Sequence, residues 1–561
     1  MDRKRILRRG CNSDVASGDG RVGLRRQIKP NTASVDPVMS LMLQTPYFPL
    51  FTSLFLCVLV LFWKRFKARG LKSPPPGPWK LPVIGSLHHM VGPLPHHTLR
   101  DLAKKHGPIM HLKLGQLEAV IISSSKAAQE VLKTHELTFS QRPLVLAVQV
   151  MSFGQASIAF APYGDFWKEL RKICVFELLS AKRVQSFRSI REEEVGNLVE
   201  SISSVSQQGV AINFSEKCFS LTNGIVSRAA FGKKCKDQKE FTSLLEEAIK
   251  LAGGFDIPDL FPSLRFLGYV TGKIPAMKRI RNKLGKILES IISDHMTKRS
   301  EDLIASRTTT GIDKAEEEEE EDFVDVLLKL QESNKLEFNF TTDQIKDVIM
   351  DIFSAGSETS ATTIEWTMSE LMRNPRVMKK AQAEVRQVAL EGKKNRIEEA
   401  DVQKMDYLKS VVKETLRLHP PTPLLPREAR ERCQISGYEL ALKSKVIVNE
   451  WALGRDVESW GVDAECFKPE RFHGSSVDFK GFDFEFIPFG AGRRICPGIA
   501  FGVTMIELAL SQLLCHFDWK LAYGIKPEEV DMTETFGVTC RRKSDLYLIA
   551  TPRFRLLNES E

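Results

Sequence analysis

Apolar residues gather in one run that no charge interrupts: from Pro37 to Trp63 the chain carries no Asp, Glu, Lys or Arg. As a helix, Leu41–Trp63 would be about 34 Å long, enough for a hydrocarbon core of about 30 Å. Lys64, Arg65, Lys67, Arg69 and Lys72 follow, where a cleaved secretory signal would need small residues. The pattern therefore predicts an uncleaved anchor over residues 39–63 with the following chain on the cytosolic side. Pro74-Pro75-Pro76-Gly77-Pro78 then fixes φ repeatedly, so residues 64–78 predict a basic, proline-rich, stiff hinge.

Beyond the hinge the periods shorten. Ile109–Leu114, Ala119–Ile122 and Lys445–Val448 are β-like runs, whereas most of 125–425 repeats at helical spacing. The longest helical pattern begins at Thr341, with Gln344 three residues on as a capping box, and runs to Asn374 before Pro375. Ile345, Val348, Ile349, Ile352, Phe353, Met368, Leu371 and Met372 mark its apolar face. Such a helix is about 50 Å long and crosses a whole domain. Its middle reads Ala355-Gly356-Ser357-Glu358-Thr359-Ser360. A glycine there costs about 1 kcal/mol, and Ser or Thr can bond back to the preceding turn, so this weak stretch predicts room for something to bind against the backbone. A second apolar run, Ala500–Leu514, predicts a helix, and the seven acids of Glu316–Asp322 predict a solvated loop between helices.

Composition narrows the class. With 561 residues, 42% hydrophobic and 27% charged, the chain is globular, which excludes disordered, collagen-like and coiled-coil readings. The net charge of +9 is concentrated at the start, where residues 1–38 hold nine basic residues against four acids. The remainder is too mildly basic for a nucleic-acid binder. Met39 and Met42 offer later starts, so residues 1–38 read as an upstream extension without a fold; the alternative is an Arg-rich transit peptide directing the protein to a plastid. The ten cysteines stand singly, with no zinc or disulfide spacing, as expected in a reducing compartment.

One cysteine has distinctive company: Phe489-Gly490-Ala491-Gly492-Arg493-Arg494-Ile495-Cys496-Pro497-Gly498. Phe489, Gly492, Arg494, Cys496 and Gly498 match F-x-x-G-x-R-x-C-x-G, and the chain resembles the cytochrome P-450 family of haem-thiolate monooxygenases. Physical chemistry agrees with the match. A sulfur placed just before the helix of Ala500–Leu514 would meet that helix's positive end, and flanking glycines let backbone approach a porphyrin. Arg494 can give a charge-assisted hydrogen bond to a haem propionate, and electron density from a thiolate favours O–O cleavage.

Further motifs fall in family order. Glu414-Thr415-Leu416-Arg417 and Arg471 in Pro469-Glu470-Arg471-Phe472 match the charges that brace the fold; Trp167, Arg171 and Arg427 match positions facing a propionate. Ala355–Ser360 matches the oxygen-binding motif: Ala355 lies against the haem, Gly356 leaves space for dioxygen, Thr359 holds a proton network and Glu358 feeds it. The resemblance implies a mainly α fold with small β-sheets, a catalytic domain over residues 79–555 and a short tail at 556–561. It implies haem as cofactor, O2 as co-substrate, and electrons from NADPH-cytochrome P-450 reductase at the endoplasmic reticulum membrane. Segment wording is most similar to plant enzymes that hydroxylate sesquiterpenes or diterpenes; relatives acting on phenolic or amino-acid-derived metabolites are the alternative. A non-catalytic haem-binding membrane protein would be expected to disrupt Glu358 and Thr359, and both are present. Phe153, Ile158, Ile352, Phe353, Leu424, Leu425, Phe536 and Val538 are the expected substrate-pocket residues, nearly all apolar.

Overall fold

The computed structural model describes residues 52–53, 55–56, 74–232, 238–253, 256–308, 321–333, 336–392 and 396–553. The chain divides into residues 1–70 and 71–561. In the first unit Thr52, Ser53, Phe55 and Leu56 are helical and exposed. The rest of the expected anchor, the leader, the basic cluster and residues 556–561 lie outside the described residues.

In the second unit four strands form the largest sheet: β1 (Ile109–Leu114), β2 (Leu117–Ile122), β3 (Leu424–Glu428) and β4 (Lys445–Asn449), in the order β1-β2-β4-β3. β1 pairs antiparallel with β2, β2 parallel with β4, and β4 antiparallel with β3. Alternate side chains fill two clusters. Val120, Ile122, Leu425, Val446 and Val448 belong to one, and Met110, Leu112, Ile121, Leu424 and Ile447 to the other, so the sheet is buried on both faces. The first of the labelled helices, α1 (Pro95–His106), covers the second face with Leu99, Leu102 and Ala103.

The proline segment is docked as well as stiff: the His111 N–H donates to the Pro76 carbonyl at 2.8 Å, and a Cβ at Gly77 would collide with the His111 carbonyl.

Helices build the larger core. In chain order they are α2 (Leu146–Met151), α3 (Asp165–Lys172), α4 (Arg188–Ser206), α5 (Phe214–Phe231), α6 (Gln238–Ala252), α7 (Lys273–Thr308), α8 (Phe323–Glu332), α9 (Thr342–Arg373), α10 (Pro375–Glu391), α11 (Asp406–Leu418) and α12 (Ile499–His516). The Thr341 hydroxyl and the Gln344 side chain close the expected capping box on α9, and Asn374 ends it. α9 passes through Gly356 unbroken, with Ser354, Thr359, Thr363, Thr367 and Ser369 each bonding back to the carbonyl four residues earlier. It packs against α5, α11 and α12. Among the described residues α12 is the helix long and apolar enough to cross a membrane, yet it is mostly buried. A helix apolar all round suits a core as well as a bilayer.

Two expectations change. The longest helix is α7 with 36 residues, not α9 with 32. Charges interleave along α7 and dilute its apolar face, and Gly285 makes room there for the ring of Phe153. The acidic run ends in structure: Asp322 is buried, caps α8 through a reciprocal box with Asp325, and accepts from His295 Nε2 at 2.9 Å.

Charges lock the C-terminal half. Glu414 takes Arg417 Nε and Nη2 at 2.7 and 2.8 Å, Arg471 Nε at 2.9 Å and the Lys468 N–H at 2.7 Å. Arg417 also donates to the carbonyls of Gly454, Ala464 and Cys466. The pair is shielded from solvent and saturated with donors, which is the condition under which a buried ion pair holds. Glu414→Ala is expected to cost about 3–5 kcal/mol by leaving Arg417 buried without its anion. A calorimetric or chaotrope melt measures it, and Glu414→Gln should lose less.

Candidate active site

Cys496 sits between a 3-10 turn, Gly492–Arg494, and the start of α12. Gly492 has φ +66°, and a Cβ there would run into the Leu132 carbonyl, so glycine is required on both counts. The Cys496 N–H donates to the Phe489 carbonyl at 2.9 Å, closing the loop. Burial pushes the Cys496 thiol up; a hydrogen bond from the Gly498 N–H and the guanidinium groups of Arg171 and Arg142 pull the other way. The sulfur therefore meets the start of α12 and two cations, the setting a thiolate needs.

Four arginines surround this loop. Arg494 lies 4.0 Å over the ring of Trp167 and donates to the carbonyls of Ser140 (2.8 Å), Ile158 (3.1 Å), Ala159 (3.4 Å) and Ala161 (2.7 Å). Burial, with Arg142 and Arg171 nearby, pushes it down to about 9. Arg171 Nη2 donates to the Ile495 carbonyl at 2.5 Å, and Trp167 Nε1 to the Ile158 carbonyl at 2.9 Å. Arg427 is 2% exposed; its Nη1 reaches its neighbour's carbonyl at 3.1 Å and its buried Nη2 has no partner. Burial and the charges of Arg142 and Arg494 hold it well below the usual arginine range. Buried Arg142 Nε is likewise unpartnered. Asp351 is the carboxylate whose field supports Arg142, and among the described residues no carboxylate does so for Arg427.

Unpaired buried guanidinium donors are costly unless an anion meets them. Arg427 and Arg494 line a cleft of about 180 Å³ with Leu132, Phe139 and Ala491. A planar cofactor carrying two carboxylates above a cysteine fits this donor set, and haem is such a group. Arg142 was not expected. Its cue is slight, an Arg-Pro pair after Phe139, because an isolated arginine in sequence gives no sign of burial.

On α9, Ile352, Ala355, Gly356 and Thr359 share one face, and Ala355 is exposed in a helix otherwise largely buried. Thr359 Oγ1 donates to the Ala355 carbonyl at 2.6 Å. A Cβ on Gly356 would approach Val226 of α5 at 3.3 Å, so this glycine also lets two helices come close. Glu358 points elsewhere, into a cleft of about 420 Å³ between α5, α6 and α9 that Lys250, Ser354, Ser357 and Arg541 also line. Burial pushes the Glu358 carboxyl up, against a hydrogen bond with Thr539 and the charge of Arg541.

The expected pocket residues do not gather around one cavity. Phe353 is fully buried, 4.8 Å from the ring of Phe241 and 6.1 Å from that of Phe231, and serves the helical core. Val538 is 48% exposed. Leu424 and Leu425 are neighbours on a strand and so fill opposite faces of the sheet. Phe536 packs beside His96, and Ile352 is half-buried on α9. Phe153 is half-buried under Arg281 at 4.9 Å, while Ile158 is buried between α9 and Arg494.

A helical core crossed by one long helix, with a half-buried cysteine at a helix start among four arginines, two of which keep an unpartnered buried nitrogen, defines a haem-binding enzyme class. The cytochrome P450 family model matches residues 74–549, and the chain belongs to that family. It is 58% identical over 498 residues to melianol synthase of Ailanthus altissima, covering 89% of this chain and 93% of that one. It is 55% identical over 506 residues to desmethyl-deoxy-podophyllotoxin synthase of Sinopodophyllum hexandrum, covering 90% and 97%. With premnaspirodiene oxygenase of Hyoscyamus muticus it shares 51% over 505 residues, covering 89% and 97%. The protein is a cytochrome P450 monooxygenase.

Because Arg427 has no anionic partner among the described residues, Arg427→Leu is expected to leave the melting midpoint of the cofactor-free protein unchanged or raised. Haem retention, followed by transfer to apomyoglobin, should fall roughly tenfold or more. A lowered midpoint of the cofactor-free protein would mean that the fold itself pairs Arg427.

Proposed function

We propose that this enzyme inserts one oxygen atom from O2 into an apolar terpenoid, of sesquiterpene or diterpene size, using electrons from NADPH-cytochrome P450 reductase. The substrate class rests on one observation: relatives named for melianol and premnaspirodiene align with about nine-tenths of this chain at 51–58% identity. Desmethyl-deoxy-podophyllotoxin synthase is as similar and carries a differently named product, so overall identity alone does not choose among substrates. Phenolic and amino-acid-derived substrates therefore belong in the same test.

In this reading the Cys496 sulfur would hold the haem iron, Phe489, Gly492 and Gly498 shape its loop, and Trp167, Arg142, Arg171, Arg427 and Arg494 would hold the carboxylates of the cofactor. Haem, when bound, supplies the activation of dioxygen. The chain's own contribution on the other side is α9: Ala355 keeps the helix surface low, Gly356 admits close approach, and Thr359 Oγ1 holds a proton where its hydroxyl faces the open side of the helix. Glu358, kept protonated by burial to a higher pH than an exposed carboxyl, is the donor that resupplies it. Residues 39–63 anchor the enzyme in the endoplasmic reticulum membrane, with residues 64–78 setting the catalytic domain on its cytosolic face.

Reduced protein under carbon monoxide should give the thiolate type of difference spectrum, and Cys496→Ala should abolish it; a surviving thiolate spectrum refutes the ligand assignment. Thr359→Ala should raise NADPH consumption per product severalfold, and unchanged coupling removes Thr359 from proton handling. Co-expression with a plant reductase and a panel of terpene synthases tests the substrate class. Turnover of phenolics or oximes with no terpenoid product overturns it.

A further inference from the structure

Away from the cysteine loop, one cluster gathers metal-type donors from three separate parts of the chain. His96 and His97 lie in the first turn of α1, His419 follows α11, and Glu534 and Cys540 belong to a two-stranded ribbon that pairs Glu534–Thr535 with Arg541–Arg542. His96 Nε2 and His97 Nε2 both point at Glu534 Oε2, at 2.7 and 2.9 Å, and the donor atoms of these three residues lie within 4.8 Å of one another. His96 and Glu534 are buried, while the His97 side chain is 40% exposed and leaves a path to solvent. Cys540 Sγ lies 3.9 Å from His96 Nε2.

Hydrogen bonds account for part of this arrangement. Each neutral imidazole can donate its Nε2–H to the carboxylate, but two buried ring nitrogens then go unanswered, Nδ1 of His96 and Nδ1 of His419. The second is aimed into the cluster. Glu370 takes His419 Nε2 at 2.8 Å, and an ionised carboxylate only accepts, so Nε2 carries the proton and Nδ1 presents a lone pair. It faces Glu534 Oε1 at 3.8 Å, too far for a hydrogen bond, on a ring stacked against Trp366 at 4.1 Å. A lone pair turned toward a buried carboxylate is an arrangement that a cation corrects. A supporting shell is in place as well. Trp451 Nε1 donates to Glu534 Oε1 at 3.3 Å, its ring stacks on His97 at 3.9 Å, and Asn449 Nδ2 holds the His96 carbonyl at 2.8 Å. Arg455, which lies over the same indole, is paired with Glu465 at 3.2 Å.

We propose that His96 Nε2, His97 Nε2 and Glu534 bind a divalent cation of the zinc type, with His419 Nδ1 and Cys540 Sγ as the donors next in reach. Two imidazoles and a carboxylate are a zinc donor set, whereas magnesium and calcium require shells of oxygen. The metal pins the ribbon, whose connecting turn carries Phe536 and Val538, to the start of α1. The site is separate from the proposed reaction and does not depend on its substrate.

The test uses the untagged, full-length, haem-loaded enzyme in detergent, stripped with a chelator and dialysed against micromolar free zinc. Elemental analysis should find about one zinc per haem iron, and X-ray absorption at the zinc edge should show imidazole ligation. His97→Ala is expected to weaken zinc binding roughly a hundredfold, and Trp451→Phe, which keeps a ring but removes the N–H behind Glu534, roughly tenfold. His89→Ala, at the other half-buried pair of adjacent histidines, should leave the affinity unchanged. The thiolate carbon monoxide spectrum reports that each variant is folded. Zinc far below one per iron, a zinc edge without imidazole, or an affinity that His97→Ala leaves unchanged overturns the site. Should His97→Ala lose the carbon monoxide spectrum, an unchanged affinity in Trp451→Phe overturns it instead. Zinc lost on His89→Ala places the metal on the other pair and overturns it too. Terpenoid turnover enters none of these readouts.

Discussion

Burying a guanidinium without an anion is the constraint on which the centre of this protein depends. Two arginines show it from opposite sides. Arg417 is 1% exposed and fully answered, by Glu414 and three carbonyls. Arg427 is equally buried and has one short-range carbonyl and an idle nitrogen. Desolvation is similar for both, so the difference lies in what meets the charge. Around Arg417 the chain supplies the anion and obtains rigidity. Around Arg427, Arg142 and Arg494 it supplies cations and cavity, which makes sense for a fold completed by a dianionic cofactor.

The long helix α9 is the other half of that arrangement. Its buried faces carry Ile345, Val348, Ile349 and Phe353 into the helical core, and its Ser and Thr hydroxyls bond back along the helix. That leaves side chains to act where the helix faces a cleft or a loop: Asp347 and Asp351 toward residues 152–161 and Glu358 toward the cleft beside α6, while Thr359, beside exposed Ala355, still bonds back to the Ala355 carbonyl. Thr359 and Glu358 are neighbours in sequence and about 100° apart around the helix, so a proton passing between them must travel by way of solvent or another hydroxyl.

Much of this was legible in the chain, unevenly. Cys496, Gly492 and the Glu414–Arg417–Arg471 set were readable because each position requires one residue type: a thiolate ligand, a glycine with positive φ, a charge needing a counter-charge. The α9 boundaries were readable because Thr341 and Gln344 form a local cap that no distant contact has to complete. The docking of Pro76 onto His111 and the burial of Asp322 against His295 were not, since both depend on partners brought close by folding, 35 and 27 residues away. Asp347 and Asp351, which bind the backbone of residues 152–159, leave a trace in the sequence: two acids interleaved with the apolar stripe of Ile345, Val348, Ile349 and Ile352 at a spacing that puts both on one side of the helix.

The substrate pocket was the least legible feature for a related reason. An apolar residue fits a core and a ligand wall equally well, and Phe353 turned out to serve the first. Leu424 and Leu425, adjacent on one strand, face opposite sides of the sheet, as the two-residue period requires. What fixes the path of an irregular segment in such a protein is therefore less its apolar residues than the polar groups that hold its backbone in place. Residues 152–161 illustrate this: without the charges of Asp347, Asp351 and Arg494, nothing in the sequence of that loop would choose its path, and the orientation of Phe153 and Ile158 would be undetermined.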